Sequence, residues 1–308
     1  MHFTNKLGLP DAIVNAVTND EYSRGNSDAS VTQLIGSPRQ SVLFRRHHEQ
    51  IEVDVSERFW ALWGKTIHTL LEDKAAGDET VATEQRLFTR IDGWNISGQF
   101  DWLKWDGPEL SLKDYKLCTA YAAMSEKSEW ENQLNMLAWL IETVANEADE
   151  DGVLPDEPFC VEDIGIVALI RDWSRAAADK DPDYPQSPIL QLPQRLWPYE
   201  EREAYVRERV RLHREARTHR MRGDELAPCT DEERWIKPQD WAAMKPGAKR
   251  ASRVFQTEED AVEYAKTKPE LEVVRRKSEP TKCKLYCSVS SFCDQYQREL
   301  LSSAEVSE

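Results

Sequence analysis

Between Ser97 and Lys116 the chain reads SGQFDWLKWDGPELSLKDYK, two runs rich in Trp, Leu, Phe and Tyr on either side of Asp106-Gly107-Pro108. Asp-Gly-Pro is turn chemistry, and a two-residue loop at Gly107-Pro108 puts glycine where a positive φ is needed. That register sets Asp101 opposite Asp114, Leu103 opposite Leu112 and Trp105 opposite Leu110. Side chains alternate along a strand, so Asp101, Asp114 and Lys116 share the face that carries these apolar residues. An apolar face ending in two carboxylates and an amine follows. Adjacent carboxylates repel and resist desolvation together, a conflict that a divalent cation relieves. Mg²⁺ prefers such oxygens; it lowers the pKa of bound water and neutralises phosphoryl charge. An amine two residues after Asp114 can orient the attacking water or stabilise transition-state charge. The alternative is a surface hairpin whose Asp114 and Lys116 are merely solvated.

The elements that must position this hairpin are legible on both sides. Ser30 caps a helix with Gln33 at the capping-box position. Gly36-Ser37-Pro38 ends it, and a second helix runs from Pro38 through His48, with Arg39, Arg45, Arg46, His47 and His48 as a first basic cluster. In Ser56–Lys74, Phe59, Trp60, Trp63, Ile67, Leu70 and Leu71 recur at helical spacing, and His68 and Glu72 share a face. Val81–Trp94 reads as a strand that turns at Asp92-Gly93 into the hairpin, giving a three-strand meander. Ser128–Ala148 reads as a helix with an apolar stripe bordered by Gln133. After an acidic loop, Asp149–Phe159, the run IGIVALI within Val161–Trp173 fits a buried central strand. Ala176–Pro198, with five prolines, reads as an extended connection. Tyr199–Arg222 is a charged helix carrying Arg207, Arg209, Arg211, Arg214 and Arg217. That helix is either a solvated face or a wall for a nucleic-acid backbone, together with Arg275-Arg276-Lys277. Phe255–Lys266 is a further amphipathic helix.

GQFD followed by DYK, preceded by GKTIH and followed by a helix containing ENQL, resembles the RecB-type branch of the PD-(D/E)XK nucleases over Ser30–Trp173. The resemblance implies an α/β core of restriction-endonuclease type, a central mixed sheet flanked by helices. It implies His68, Asp101 and Asp114 as ligands of Mg²⁺ or Mn²⁺, with the carbonyl of Tyr115 as a further ligand. Lys116 is the implied catalytic lysine and Gln133 a substrate-side residue. The family often has Tyr four residues after that Gln; this chain has Leu137. SVTQLIGSPRQ and CKLYCSVSSFCDQY look like phage-encoded exonucleases with an iron–sulfur module.

Six cysteines are present. Cys118 and Cys160 lie among core-like residues and read as small buried hydrophobes. Cys283, Cys287 and Cys293 follow one another as Cys-x3-Cys-x5-Cys, and Cys229 stands upstream in APCTDEERW. Four thiolates suit Zn²⁺ or an iron–sulfur cluster, and spacing does not choose. The resemblance implies [4Fe–4S]. Several relatives of that kind place a fourth cysteine before the core, near where this chain has Ser37-Pro38-Arg39, so either Cys229 substitutes or the cluster lacks a fourth protein thiolate.

The 308 residues carry a formal net charge of −16, which argues against an indiscriminate nucleic-acid binder and keeps a protein partner in view. No apolar run approaches a membrane span, and MHFTNKLGLPDAI lacks the pattern of a signal peptide, so a cytoplasmic protein is expected, in the host cytoplasm if phage-encoded. The expected organisation is an N-terminal helix and loop (1–29), a nuclease core (30–175), a Pro-rich connection (176–198), a helical and cysteine-cluster region (199–300) and a disordered tail (301–308). The expected activity is metal-dependent hydrolysis of DNA, from a free end in preference. A nuclease-like accessory or inhibitor protein and a structure-specific endonuclease are the rival readings.

Overall fold

Strand Cys160–Ile170 contains the apolar run and lies inside a sheet, where Val161, Ile164, Ile166, Ala168 and Ile170 are buried. The computed structural model describes residues 1–19, 25–75, 77–146, 160–236, 239–276 and 278–305. The acidic loop expected at 149–159 lies outside them. Two units form: Met1–Ser41 with His48–Asp224, and Val42–His47 with Glu225–Glu308.

In the first unit a five-stranded sheet has the order Ile189–Pro193, Cys160–Ile170, Glu109–Cys118, Trp102–Asp106, Val81–Thr83. The pair Glu109–Cys118 and Cys160–Ile170 is parallel and the other pairs are antiparallel. A parallel pair needs a crossover, and helix Ser128–Asn146 lies between the two strands in sequence. From Leu134 to Ile141 every side chain of that helix is buried. A helix buried all round must lie between layers. This one packs on both strands of the parallel pair, on hairpin Arg86–Gln99, and on helices Val31–Ile35 and Tyr199–Arg222. Each such Leu or Ile contributes about 1.5–3 kcal/mol by leaving water. The mixed α/β architecture thus matches the expected class.

The hairpin forms in the expected register, with Leu103 opposite Leu112 and Trp105 opposite Leu110, and Gly107 turns it at φ 62°. Ser30 makes both bonds of its capping box with Gln33. The expected meander order forms, but it is bent across two sheets rather than lying in one. Val81–Trp94 is two strands, Val81–Thr83 and Arg86–Ile91, and the second pairs with Trp94–Gln99 in a separate sheet with Ala29–Ser30. Val81 faces Lys104 and Arg86 faces Gln99, so one unbroken register spans both sheets. The ribbon bends at Glu84, whose φ is 52°, where Glu84 N–H donates to the Asp101 carbonyl and Phe100 N–H to that of Gln85.

Other expectations are corrected in the same way. Ala176–Pro198 is not wholly a connection: its Ile189–Pro193 is an edge strand, the one sheet position that tolerates proline well. Cys160 is exposed at the start of its strand, and its thiol lies 2.9 Å from Glu162 Oε1; that hydrogen bond pushes it up to about 11. Cys118 is buried as expected. Helix Tyr199–Arg222 belongs to the first unit rather than with the cysteines. Leu301–Glu305 continue helix Asp294–Glu305 instead of a disordered tail. The second unit is not wholly helical either. It has a sheet of Arg253–Phe255, Asp240–Met244 and Glu272–Arg276, with helix Glu258–Lys266 capped by Thr257.

Candidate metal centre

Asp101 sits at the bend of the ribbon, directly across from Glu84. Its Oδ2 accepts from Tyr115 N–H at 2.7 Å, which ties the bend to the neighbouring strand. His68, from helix Phe59–Ala75, comes between these groups. Its Nδ1 is 2.9 Å from Glu84 Oε1 and 3.5 Å from Asp101 Oδ1, and its Nε2 is 3.2 Å from the Tyr115 carbonyl oxygen. One ligand atom each of His68, Glu84 and Asp101 lies within 4.8 Å of the others. The sequence reading missed Glu84. Following the register of the Asp92-Gly93 turn back along the strand would have found it, because that register sets Glu84 against Asp101.

Asp114 is 2% exposed and lies to one side of this trio. Lys116 Nζ is 2.6 Å from its Oδ2, and Gln133 Nε2 donates to its Oδ1 at 2.8 Å. Lys116 also donates to Gln133 Oε1 at 3.1 Å, closing a three-membered ring of contacts. Asp101, Asp114, Lys116 and Gln133 therefore line one cavity of about 190 Å³, as do Arg86 and Leu137. Leu137, which stands where the resembling family often has Tyr, packs against Gly98. A chain of bonds runs from the cavity wall to Glu84: Arg86 donates to Gln99 Oε1 at 2.7 Å, and Gln99 Nε2 to Glu84 Oε2 at 2.7 Å.

The electrostatics follow from this crowding. Burial, then the charge of Asp114, pushes Asp101 up to about 7. The hydrogen bond to Glu84 holds the His68 imidazole above its ordinary value against desolvation. Burial works to lower Lys116, but the Asp114 carboxylate overrides it and the ammonium is held above its ordinary value. Both ring nitrogens of His68 face acceptors, a carboxylate and a carbonyl. A neutral imidazole has only one N–H to give. The arrangement is satisfied by a second proton on the ring or by a cation between Nε2 and its oxygen neighbours. The donor set, one imidazole with carboxylate and carbonyl oxygens, suits Mg²⁺ or Mn²⁺.

The basic residues expected along a DNA path are engaged elsewhere. Arg207 bonds Asp92 and Glu203, Arg211 bonds Glu208 and Glu215, and Arg214 donates to the Asp92 carbonyl. Arg209 caps the end of helix Val31–Ile35 through the Leu34 and Gly36 carbonyls, and Arg217 reaches Asp28 and lies over Trp94. These side chains clamp the fold. Arg39 is buried, and His47 stacks on Phe292 within the second unit. There too, Arg275 bonds Gln239 and Arg276 bonds Asp240; Lys277 lies outside the described residues.

All four late cysteines fall in the second unit. Burial pushes the Cys287 thiol up, and the nearby Cys283 and Cys293 add to the effect. Arg234, ion-paired to Glu299, also bonds Cys283, and Cys229 is fixed by its backbone on both sides to Gln295. Among the described residues, no three of these thiols lie within 4.8 Å of one another.

No family model matches the chain. No curated protein matches it either. A solved structure titled "Crystal structure of SSO0001" superposes with a TM-score of 0.40 at 14% identity, covering 67% of this chain and 82% of that one. A likeness at that level carries no inference about activity.

Proposed function

We propose that this chain is a divalent-metal-dependent deoxyribonuclease of the PD-(D/E)XK kind, acting on DNA with a free end. The observation that carries the reading is the His68 imidazole held between acceptors beside two buried carboxylates and a half-buried lysine. His68, Asp101, Asp114 and the Tyr115 carbonyl are the residues to hold Mg²⁺ or Mn²⁺, with Glu84, seen only in the structure, behind His68. A cation bound there would supply Lewis acidity toward a phosphoryl oxygen.

The chain's own groups account for the rest. Lys116 Nζ presents positive charge and protons at the mouth of the carboxylate pair, where negative charge grows in phosphodiester cleavage. Gln133 holds both Asp114 and Lys116 and so fixes the lysine's direction. Glu84 orients the imidazole through Nδ1, which leaves Nε2 for the cation. Digestion of end-labelled linear DNA, compared with covalently closed circles in Mn²⁺, tests the reading. Release of the label with circles left intact is expected. Nicking of circles selects the endonuclease alternative, and inertness toward both substrates sinks the proposal.

For the cysteines, the same reading assigns Cys229, Cys283, Cys287 and Cys293 to one [4Fe–4S] cluster, separate from the hydrolytic site. Four cysteines in one compact unit, with Cys287 close to Cys283 and Cys293, support it. Zinc is the alternative occupant, and it would have to draw the thiols closer than they stand.

No described helix is long and apolar enough to cross a membrane. A cytoplasmic site of action is part of the proposal.

A further inference from the structure

Helix Phe59–Ala75 buries none of its side chains fully, although its sequence is that of an amphipathic core helix. Phe59, Trp60 and Trp63 are 46%, 47% and 41% exposed. They are not scattered. Trp60 and Trp63 stack with centroids 5.4 Å apart at 14°, and Phe59 packs edge-on against Trp60 at 5.2 Å. The Arg171 guanidinium lies 3.8 Å over the Trp60 ring. The Arg171 backbone N–H donates to the carbonyl of Cys118, two residues beyond Lys116 on the same strand. The aromatic cluster therefore adjoins the end of the strand that carries the candidate catalytic lysine.

Charge narrows the choice of ligand. The chain has a formal net charge of −16, yet from Arg58 to Leu71 it contains no carboxylate and carries Arg58, Lys65 and His68. A stretch free of acid, with flat π faces and a guanidinium at its edge, complements a polyanion that also offers flat rings. An aliphatic partner would not select stacked indoles, and a duplex keeps its bases inside.

We propose that Phe59, Trp60 and Trp63 form a stacking platform for unpaired bases of a nucleic-acid strand, so that the site receives a single strand or a frayed end. Stacking supplies affinity that a net-acidic protein cannot draw from its overall field. The proposal rests on the nuclease reading for the identity of the strand. Its test uses no cleavage, so the two can fail separately.

The measurement is fluorescence anisotropy of a labelled oligothymidylate, and of a blunt duplex, with the full chain in EDTA. Wild type should bind the single strand better than the duplex. Trp60→Ala and Trp63→Ala should each lose about tenfold in single-strand affinity, and Trp63→Phe should keep most of it. Melting temperatures should fall by no more than a few degrees, because the rings are half exposed and lose only contacts among themselves and with Arg171. The salt dependence should also keep its slope, since no phosphate contact is removed. Wild-type affinity in both alanine variants, equal binding of duplex, or no binding by wild type overturns the proposal. So does a dimer in sedimentation that Trp63→Ala converts to monomer with oligonucleotide binding unchanged; the face then joins copies of this chain.

Discussion

Two acceptors flank one imidazole, and a carboxylate near neutrality lies beside it; these residues make pH the sharpest probe of the site. Asp101 has its folded value raised to about 7 by burial and by Asp114, so the folded chain holds a proton there that the unfolded chain has lost above about pH 4. Stability from this group is present below that range and is lost as pH rises through about 7. His68 is also raised, through Glu84, and its contribution is lost in the same direction as pH rises through its folded value. In EDTA the melting temperature should therefore fall from pH 5 to pH 8. Mn²⁺ should restore it at pH 8 and do little at pH 5, where protons compete for the same atoms. A melting temperature that rises with pH in EDTA would show that the carboxylates are not forced together. Glu84→Gln separates roles further: it should lower the His68 pKa and weaken Mn²⁺ binding, measured by NMR titration of the ring and by calorimetry. An unshifted ring would remove Glu84 from the site.

Glycine and a buried ion pair set the limits at the scale of elements. A Cβ on Gly98 would stand 2.7 Å from Leu137 Cδ2 and 2.7 Å from Leu140 Cδ2, so strand and helix meet there without room for a methyl group. Gly98→Ala should destabilise by about 1–3 kcal/mol, and Leu137→Ala in the same chain should recover part of it in denaturant melts; additive losses would mean that the two do not touch. Glu142 and Arg202 pair at 2.9 Å where helix Ser128–Asn146 meets helix Tyr199–Arg222, and both are buried. Removing either alone should cost about 3–5 kcal/mol, because the other charge is stranded. A loss under about 1 kcal/mol, typical of an exposed pair, would contradict that packing. The hairpin around Gly107 and the central strand were readable because turn chemistry and apolar runs are local. Glu84 was readable only as the partner of Asp101 in the Asp92-Gly93 register; the bend there was not, because the backbone enters a positive φ at a residue whose type does not announce it. The sheet of Asp240–Met244 was hidden for a related reason, since DWAAM has little strand propensity and is held by its neighbours. The exposed stripe of helix Phe59–Ala75 misled in the opposite sense, as helical periodicity signals one chemical face without saying what covers it.

Across the whole molecule the two units gather different candidate donors, an imidazole with carboxylates in one and the four late cysteines in the other. Treatment with EDTA should stop cleavage without removing a thiolate-bound centre, whose test is metal analysis of anaerobically purified protein. About four irons per chain supports the cluster; one zinc replaces it, and neither metal leaves four free thiols. The central claim is that Lys116 acts on the reacting phosphate and does not hold the metal. The most direct measurement pairs Mn²⁺ calorimetry with single-turnover cleavage of linear DNA for one preparation of Lys116→Ala. Metal affinity should stay near the wild-type value while cleavage falls by at least about 100-fold. Cleavage at the wild-type rate in Lys116→Ala would contradict the account.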